Sequence, residues 1–163
     1  MKPIILVAPL VAMLATSPAL AFDTADVDTV RSFVEAAYPR ITSLSPMQDE
    51  ESLGTRLRYF STVDAFHQFS DARKADGTHD FVFGSGGMVM DDIISKVSVM
   101  DRGKGEWQAE FIARHKSLGA DVEKSECLSV RIGLRELPLA AGTNPVGIES
   151  ITSKPSKVKC PAN

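Results

Sequence analysis

The sequence predicts an α+β domain, with N-terminal helices packed on a curved antiparallel sheet. Three observations predict it. Apolar residues recur at steps of three and four before residue 75, they alternate in steps of two after residue 92, and the two patterns do not interleave. Segregated helical and strand patterns belong to α+β architectures rather than to parallel α/β ones.

The first 21 residues stand apart from that domain. Met1-Lys2 is a short basic start, and an apolar run follows from Ile4 to Ala15, broken by Pro9. Small residues at Ala19 and Ala21 complete an A-x-A site, so residues 1–21 read as a secretory signal cleaved between Ala21 and Phe22. The run of 12 residues is short of the roughly 20 that span a bilayer. No cysteine follows it to take a lipid. The expectation is a periplasmic or secreted chain with no stable membrane insertion.

The first helix is predicted within 23–41. Val27, Val30, Phe33, Val34, Ala37, Tyr38 and Ile41 make one stripe, with Asp26 or Asp28 as N-cap and Pro39 limiting the end. A loop over 42–48 leads to a second helix, roughly 50–60, with Leu53, Leu57 and Phe60 inward. A third, roughly 63–74, spaces Val63, Phe66, Phe69 and Ala72 three apart after Ser61 and Thr62, whose hydroxyls suit a cap. Ala75–Asp80 contains Asp-Gly and reads as a turn. Phe81–Phe83 is a short apolar piece before Gly84-Ser-Gly-Gly87.

Three or four strands follow. Residues 93–101 are β-like, and Arg102–Gly105 is a tight hairpin connection. Over 106–116, Trp107, Ala109, Phe111 and Ala113 share a face. A charged loop is expected at 117–125. Over 126–137, Leu128, Val130, Ile132 and Leu134 point inward and Cys127, Ser129, Arg131 and Arg135 outward. A loop over 138–147 precedes a last strand, 147–153, and a tail from Lys154.

Cleavage would leave 142 residues, enough for one domain with its own core. Lys2 is the one charge lost, so 17 basic residues face 21 acidic ones and the mature net charge is −4 with histidine neutral. No basic cluster is present to neutralise phosphates, so nucleic acid is not an expected partner. The two cysteines, Cys127 and Cys160, lie 33 apart, and an exported chain with an even count usually pairs them. With Cys127 outward on its strand, an irregular tail can cross the sheet and reach it through Cys160.

The order of elements, with Phe33-Val34-x-x-x-Tyr38 on the first helix, two short helices, an Asp-containing turn before a Gly-rich step and then long hairpin strands, resembles the NTF2-like (cystatin-like) α+β cone. More narrowly it is similar to small exported NTF2-like proteins of unknown function from Gram-negative bacteria. The resemblance covers 26–153, with 154–163 as a tail tied by a disulfide. It implies three helices closing over a bent sheet with a cavity between. Some relatives are isomerases or dehydratases using an Asp, His or Tyr there; others bind, dimerise or neutralise toxins. A homodimer is implied on the same ground.

Residues able to carry chemistry are few. Asp64 and His67 share a helical face, His79 and Asp80 lie in the turn, and His115 and Tyr38 can approach from strand and helix. A His–Asp pair in a closed cavity can abstract a proton. No catalytic set is complete enough to assign. Asp91 and Asp92 are adjacent, so their side chains diverge, and the three histidines lack metal-ligand spacing; no metal or other cofactor is expected. Gly84–Gly87 lacks the Lys-Ser/Thr ending of a phosphate loop, and Ser85 lacks the flanks of a nucleophile elbow. If a ligand pocket exists, its candidate residues are Tyr38, Phe60, Phe66, His67, Phe69, Trp107, Phe111 and His115, although aromatic residues of this kind belong more often to the core. The first expectation is therefore a non-enzymatic periplasmic binding or protein-interaction domain, inhibitory or neutralising in one version. The alternatives are a small apolar-ligand binder using the cone cavity and an isomerase- or dehydratase-like enzyme.

Overall fold

The computed structural model describes residues 25–48, 52, 54–121, 123–138 and 144–160. Helix α1 spans Val27–Thr42. Asp26 starts it: its Oδ1 accepts the Thr29 N–H at 2.7 Å, filling one of the orphan donors of the first turn. Val30, Phe33, Val34, Ala37, Tyr38 and Ile41 form the buried stripe, while Val27 is 39% exposed. Pro39 does not end the helix. The N–H it lacks would have met the carbonyl of Glu35, an exposed residue where water can substitute. The helix therefore continues, buries Ile41, and closes with the Ser43 N–H on the Pro39 carbonyl at 3.1 Å.

The second helix differs from the one predicted in its second half: Ser52 and Gly54 are α-helical, and the chain then tightens into a 3₁₀ turn, Thr55–Tyr59. At three residues per turn Arg56 and Tyr59 share a face and are buried with Phe60, whereas Leu57 turns out to solvent at 37% exposure. An α period through 53, 57 and 60 would have put Leu57 inside; Leu53 lies outside the described residues. Helix α2, Val63–Ala75, is capped by Thr62, whose Oγ1 accepts the Ala65 N–H at 3.1 Å. Ala65 is buried and Phe66 and Phe69 pack on the core, but Val63 is 53% exposed. The turn that follows uses Gly77 at φ +81°. The apolar piece at 81–83 forms a π-helical turn, Asp80–Gly84, which seats Val82 against Leu44 and Val89 in a small second core.

Among the described residues five antiparallel strands make one sheet: β1 Met88–Ile93, β2 Ser98–Gly103, β3 Glu106–Leu118, β4 Glu123–Glu136 and β5 Val146–Pro155. The continuous strand expected over 93–101 is two strands, which pair with successive halves of β3 along one edge. Between them Ser95 Oγ accepts the Ile112 N–H at 2.8 Å, and Val97 is fully buried rather than left in the ladder. The expected loop 117–125 is shorter, since pairing runs to Leu118↔Glu123, and β5 runs two residues beyond 153. On the inner face Trp107, Ala109, Phe111 and Ala113 oppose Leu134, Ile132, Val130 and Leu128, and α1 lies across them. The sheet is anchored to the helical side at one tight point. Gly147 passes the Phe60–Ser61 backbone so closely that a Cβ would sit 2.6 Å from Ser61 Cα, and Ser61 N–H donates to the Ile148 carbonyl at 2.9 Å.

Cys127 lies on the outer face of β4, yet it is buried, because the tail covers it. The Ser156 N–H donates to the Cys127 carbonyl at 2.8 Å, and Cys160 is disulfide-bonded to Cys127 with the two Cα atoms 5.4 Å apart.

Candidate functional site

The cone interior is filled. Tyr38 meets Phe111 edge-on at 4.8 Å between ring centroids, and Phe60 meets Phe66 and Phe69 at 5.5 Å each. Trp107 is buried, with its Nε1–H on Glu136 Oε1 at 3.2 Å. Among the described residues Phe60, Trp107 and Phe111 are buried in the core and Phe66 packs against it. One open cavity, of about 470 Å³, lies at the mouth of the cone between the C-terminal half of α1, α2 and the ends of β1, β3, β4 and β5. Of the eight candidates, Tyr38, Phe69 and His115 line it. His67 is on the exposed face of α2 with Asp64, because the helix turns its Ala65 side inward. His79 packs at a tilt against Phe83, 4.8 Å between ring centroids, and Asp80 is exposed. Gly87 belongs to the chain reversal, where a Cβ would strike the Phe81 ring at 2.5 Å.

The mouth holds a polar chain that sequence reasoning missed. Asp91 is 2% exposed, and β1 pairs it directly with His115 on β3. His115 Nδ1 lies 2.8 Å from Asp91 Oδ1, and its Nε2 lies 3.2 Å from Ser117 Oγ, one step along the same face of the strand. An ionised carboxylate has no proton to give, so Nδ1 carries the hydrogen, and in the neutral ring Nε2 accepts from the Ser117 hydroxyl. Arg73 on α2 comes within 3.9 Å of Asp91 Oδ2 and donates to the Thr42 carbonyl at 2.7 Å; its Nε is buried without a partner among the described residues. Asp92, by contrast, is exposed.

Two arginines serve the end of α1, whose last carbonyls have no intrahelical partners. Arg73 takes Thr42, and Arg56 takes the carbonyls of Ile41 and Ser43 at 2.8 Å each, with Gln48 Oε1 at 2.9 Å. Burial, then repulsion from Arg73, brings the Arg56 guanidinium down to about 10, so it remains a cation near neutrality. Arg56→Met keeps the apolar stem and loses the donors. It should lower stability by about 2–3 kcal/mol, since charge-assisted bonds are the stronger class but two of the three acceptors are only partly buried and can rehydrate. Thermal unfolding checks it, and an unchanged midpoint would deny Arg56 that capping role.

The two tyrosines give a further check. Burial, reinforced by the Asp91 charge, pushes the Tyr38 phenol well above its ordinary value. At Tyr59 burial also acts upward, but the hydrogen bonds and charges of Arg40 and Arg58 outweigh it and the phenol is lowered. Ultraviolet titration should therefore show one tyrosine ionising early and the other only with unfolding. For Tyr38 the sign is that stability is complete below the ordinary tyrosine value and falls as pH rises above it, because the unfolded chain releases that proton first. Simultaneous ionisation of both in the folded chain would contradict the burial of Tyr38.

No protein-family model matches the sequence, and no curated protein matches it. Solved structures do. The chain superimposes on an IcmL-like type IV secretion system protein from Legionella pneumophila with a TM-score of 0.72 at 15% identity, covering 85% of this chain and 99% of that one. The periplasmic domain of DotI gives 0.69 at 14% identity, covering 81% and 97%. CagV, a VirB8 homologue of the type IV secretion system of Helicobacter pylori, gives 0.63 at 11%, covering 80% and 99%. The fold is NTF2-like, an α+β cone of the type these secretion-system domains share. Among the described residues no helix is long and apolar enough to cross a membrane, and no three His, Cys, Asp or Glu converge as metal ligands.

Proposed function

We propose that this chain is a periplasmic protein-interaction domain of an envelope-spanning assembly of the type IV secretion kind. In this reading residues 1–21 are a signal removed between Ala21 and Phe22, 22–153 form the working domain, and 154–163 are a tail tied down by Cys127–Cys160. The observation that carries the reading is the extent of the structural likeness. It takes in 97–99% of the neighbouring secretion domains named above, so their whole architecture is present here. The cone filled by its own aromatic side chains supports surface recognition over an enclosed active site. Self-association into a homodimer belongs to the same proposal. An inhibitory or neutralising role gains no support from the fold.

The test is deletion of the chain in its own bacterium, with transfer of a secreted substrate or plasmid as the readout. The expected result is loss of transfer, restored by the exported chain and not by one lacking residues 2–21. A photo-crosslinker at exposed Met100, which is 41% exposed on β2, should capture an envelope protein or a second copy. Unimpaired transfer in the deletion strain, with no adduct to either, would overturn the proposal.

A further inference from the structure

The cone mouth gathers charged side chains from several elements around His115. Facing His115 are Tyr38 from α1, Arg73 and Asp76 from α2 and its C-cap, Asp91 from β1, Lys124 and Glu126 from β4, and Lys154 from β5. Arg73 and Lys124 stand against Asp76, Asp91 and Glu126 in the lining, and protonation of the imidazole adds one positive charge to it. Half-buried Phe81, Leu128 and Ile151 lie beside Phe69 around the same space. The site is amphipathic, and its polar end gains one positive charge with one proton.

The geometry points to this mouth as a receptor for an organic carboxylate, bound with uptake of one proton at His115. The inference goes beyond the secretion reading and stands on the lining residues. With the ring neutral, Ser117 spends its hydroxyl proton on Nε2, 3.2 Å away, and offers the cavity only lone pairs, a poor host for an anion. When a proton from solvent adds to Nε2, the N–H donates to Ser117 Oγ and the hydroxyl proton turns free to donate to the ligand. Asp91, 2.8 Å from Nδ1, stabilises the imidazolium so formed. Arg73, with its unpartnered Nε, adds cationic character on the facing helix, and the apolar residues take the ligand's carbon body. A carboxylate on a small molecule and the free C-terminus of a peptide share this chemistry.

The experiment is calorimetry on the mature, oxidised chain with benzoate, with its neutral isostere benzamide, and with an N-acetyl peptide ending in phenylalanine as free acid or amide. Titrations run at two pH values spanning the histidine range, roughly 5 to 8, in buffers of different ionisation enthalpy. Saturable benzoate binding is expected, with uptake approaching one proton and affinity falling up to tenfold per pH unit on the alkaline side. Benzamide should not compete. Of the three histidines, His115 alone should shift its ring resonances, with His67 and His79 as internal references. His115→Gln cannot be protonated, so its residual binding should be flat with pH while its folded spectrum is retained. Binding of the free-acid peptide but not the amide places the natural carboxylate on a chain terminus; binding of benzoate alone places it on a small molecule. Equal affinity for benzamide, a pH-independent affinity with His115 intact, or no saturation by benzoate or peptide at about 10 mM, a concentration covering even very weak sites, overturns the proposal.

Discussion

Asp91→Ala should lower the stability of the domain by about 3–5 kcal/mol, the cost of removing one partner from a buried ion pair. The carboxylate is 2% exposed, and the groups it serves, His115 and Arg73, are 14% and 18% exposed. Alanine leaves the His115 Nδ1–H and the Arg73 guanidinium facing a void, and neither regains full hydration. The loss also reaches α1. The Asp91 N–H rests on Ser43 Oγ at 3.0 Å, one residue past the helix, and Arg73 ties the Thr42 carbonyl to the same place. Asp91→Asn keeps an acceptor for Nδ1–H and should cost clearly less. In urea the alanine variant's midpoint should drop by roughly 2 M, given slopes of about 1–3 kcal/mol per molar for small domains. Matching midpoints for the alanine and wild-type chains would mean that the pair is only a tolerated burial, contributing no net stability.

The same residues show how far the sequence could be read. The stripe of α1 is legible because seven apolar positions repeat on one helical period, and the β3–β4 hairpin is legible because its alternation is long. Both patterns are local, so local physics decides them. The 3₁₀ turn is not legible: its period differs from α by less than one residue per turn, and one of its two buried residues is Arg56, which hydropathy assigns to solvent. Its burial depends on carbonyls at the end of another helix. The β1–β2 break fails for the same reason, since what interrupts it is a side-chain acceptor, Ser95 Oγ, for an N–H on β3.

The site was half visible. His115 continues the odd-numbered inward series 107, 109, 111, 113, and that parity alone places it on the core face. Nothing local adds Asp91, which stands beside an equally acidic Asp92 and 24 residues from His115. Only the β1–β3 register selects one of the two carboxylates. A polar residue that continues an inward apolar series is the available signal, and it marks where the filled cone ends and its mouth begins.

Loss of the disulfide should be comparable in size to loss of Asp91, but should act on a different part of the molecule. In the chain-entropy account, a crosslink closing 33 residues stabilises by about 3–4 kcal/mol through the unfolded state. Cys127→Ser with Cys160→Ser should therefore unfold at a lower urea concentration by a margin near that of the Asp91 variant. The structural effect should be local. Cys160 holds the tail over the outer face of β4, and the Ser156 N–H on the Cys127 carbonyl continues the β4–β5 ladder beyond Leu128↔Pro155. Ser153, Lys154 and Pro155 also form one wall of the mouth. Without the crosslink the amides of Ser153, Lys154 and Ser156 should exchange with solvent faster, while the Trp107–Leu134 end of the hairpin keeps its protection. A wild-type chain retained in a reducing cytoplasm should behave like the double variant, because the bond forms in oxidising compartments. Hydrogen exchange resolved along β5 distinguishes the cases. Uniform loss of protection would mean that the crosslink supports the whole fold, and unchanged exchange from 153 to 156 would mean that the tail holds its place without it.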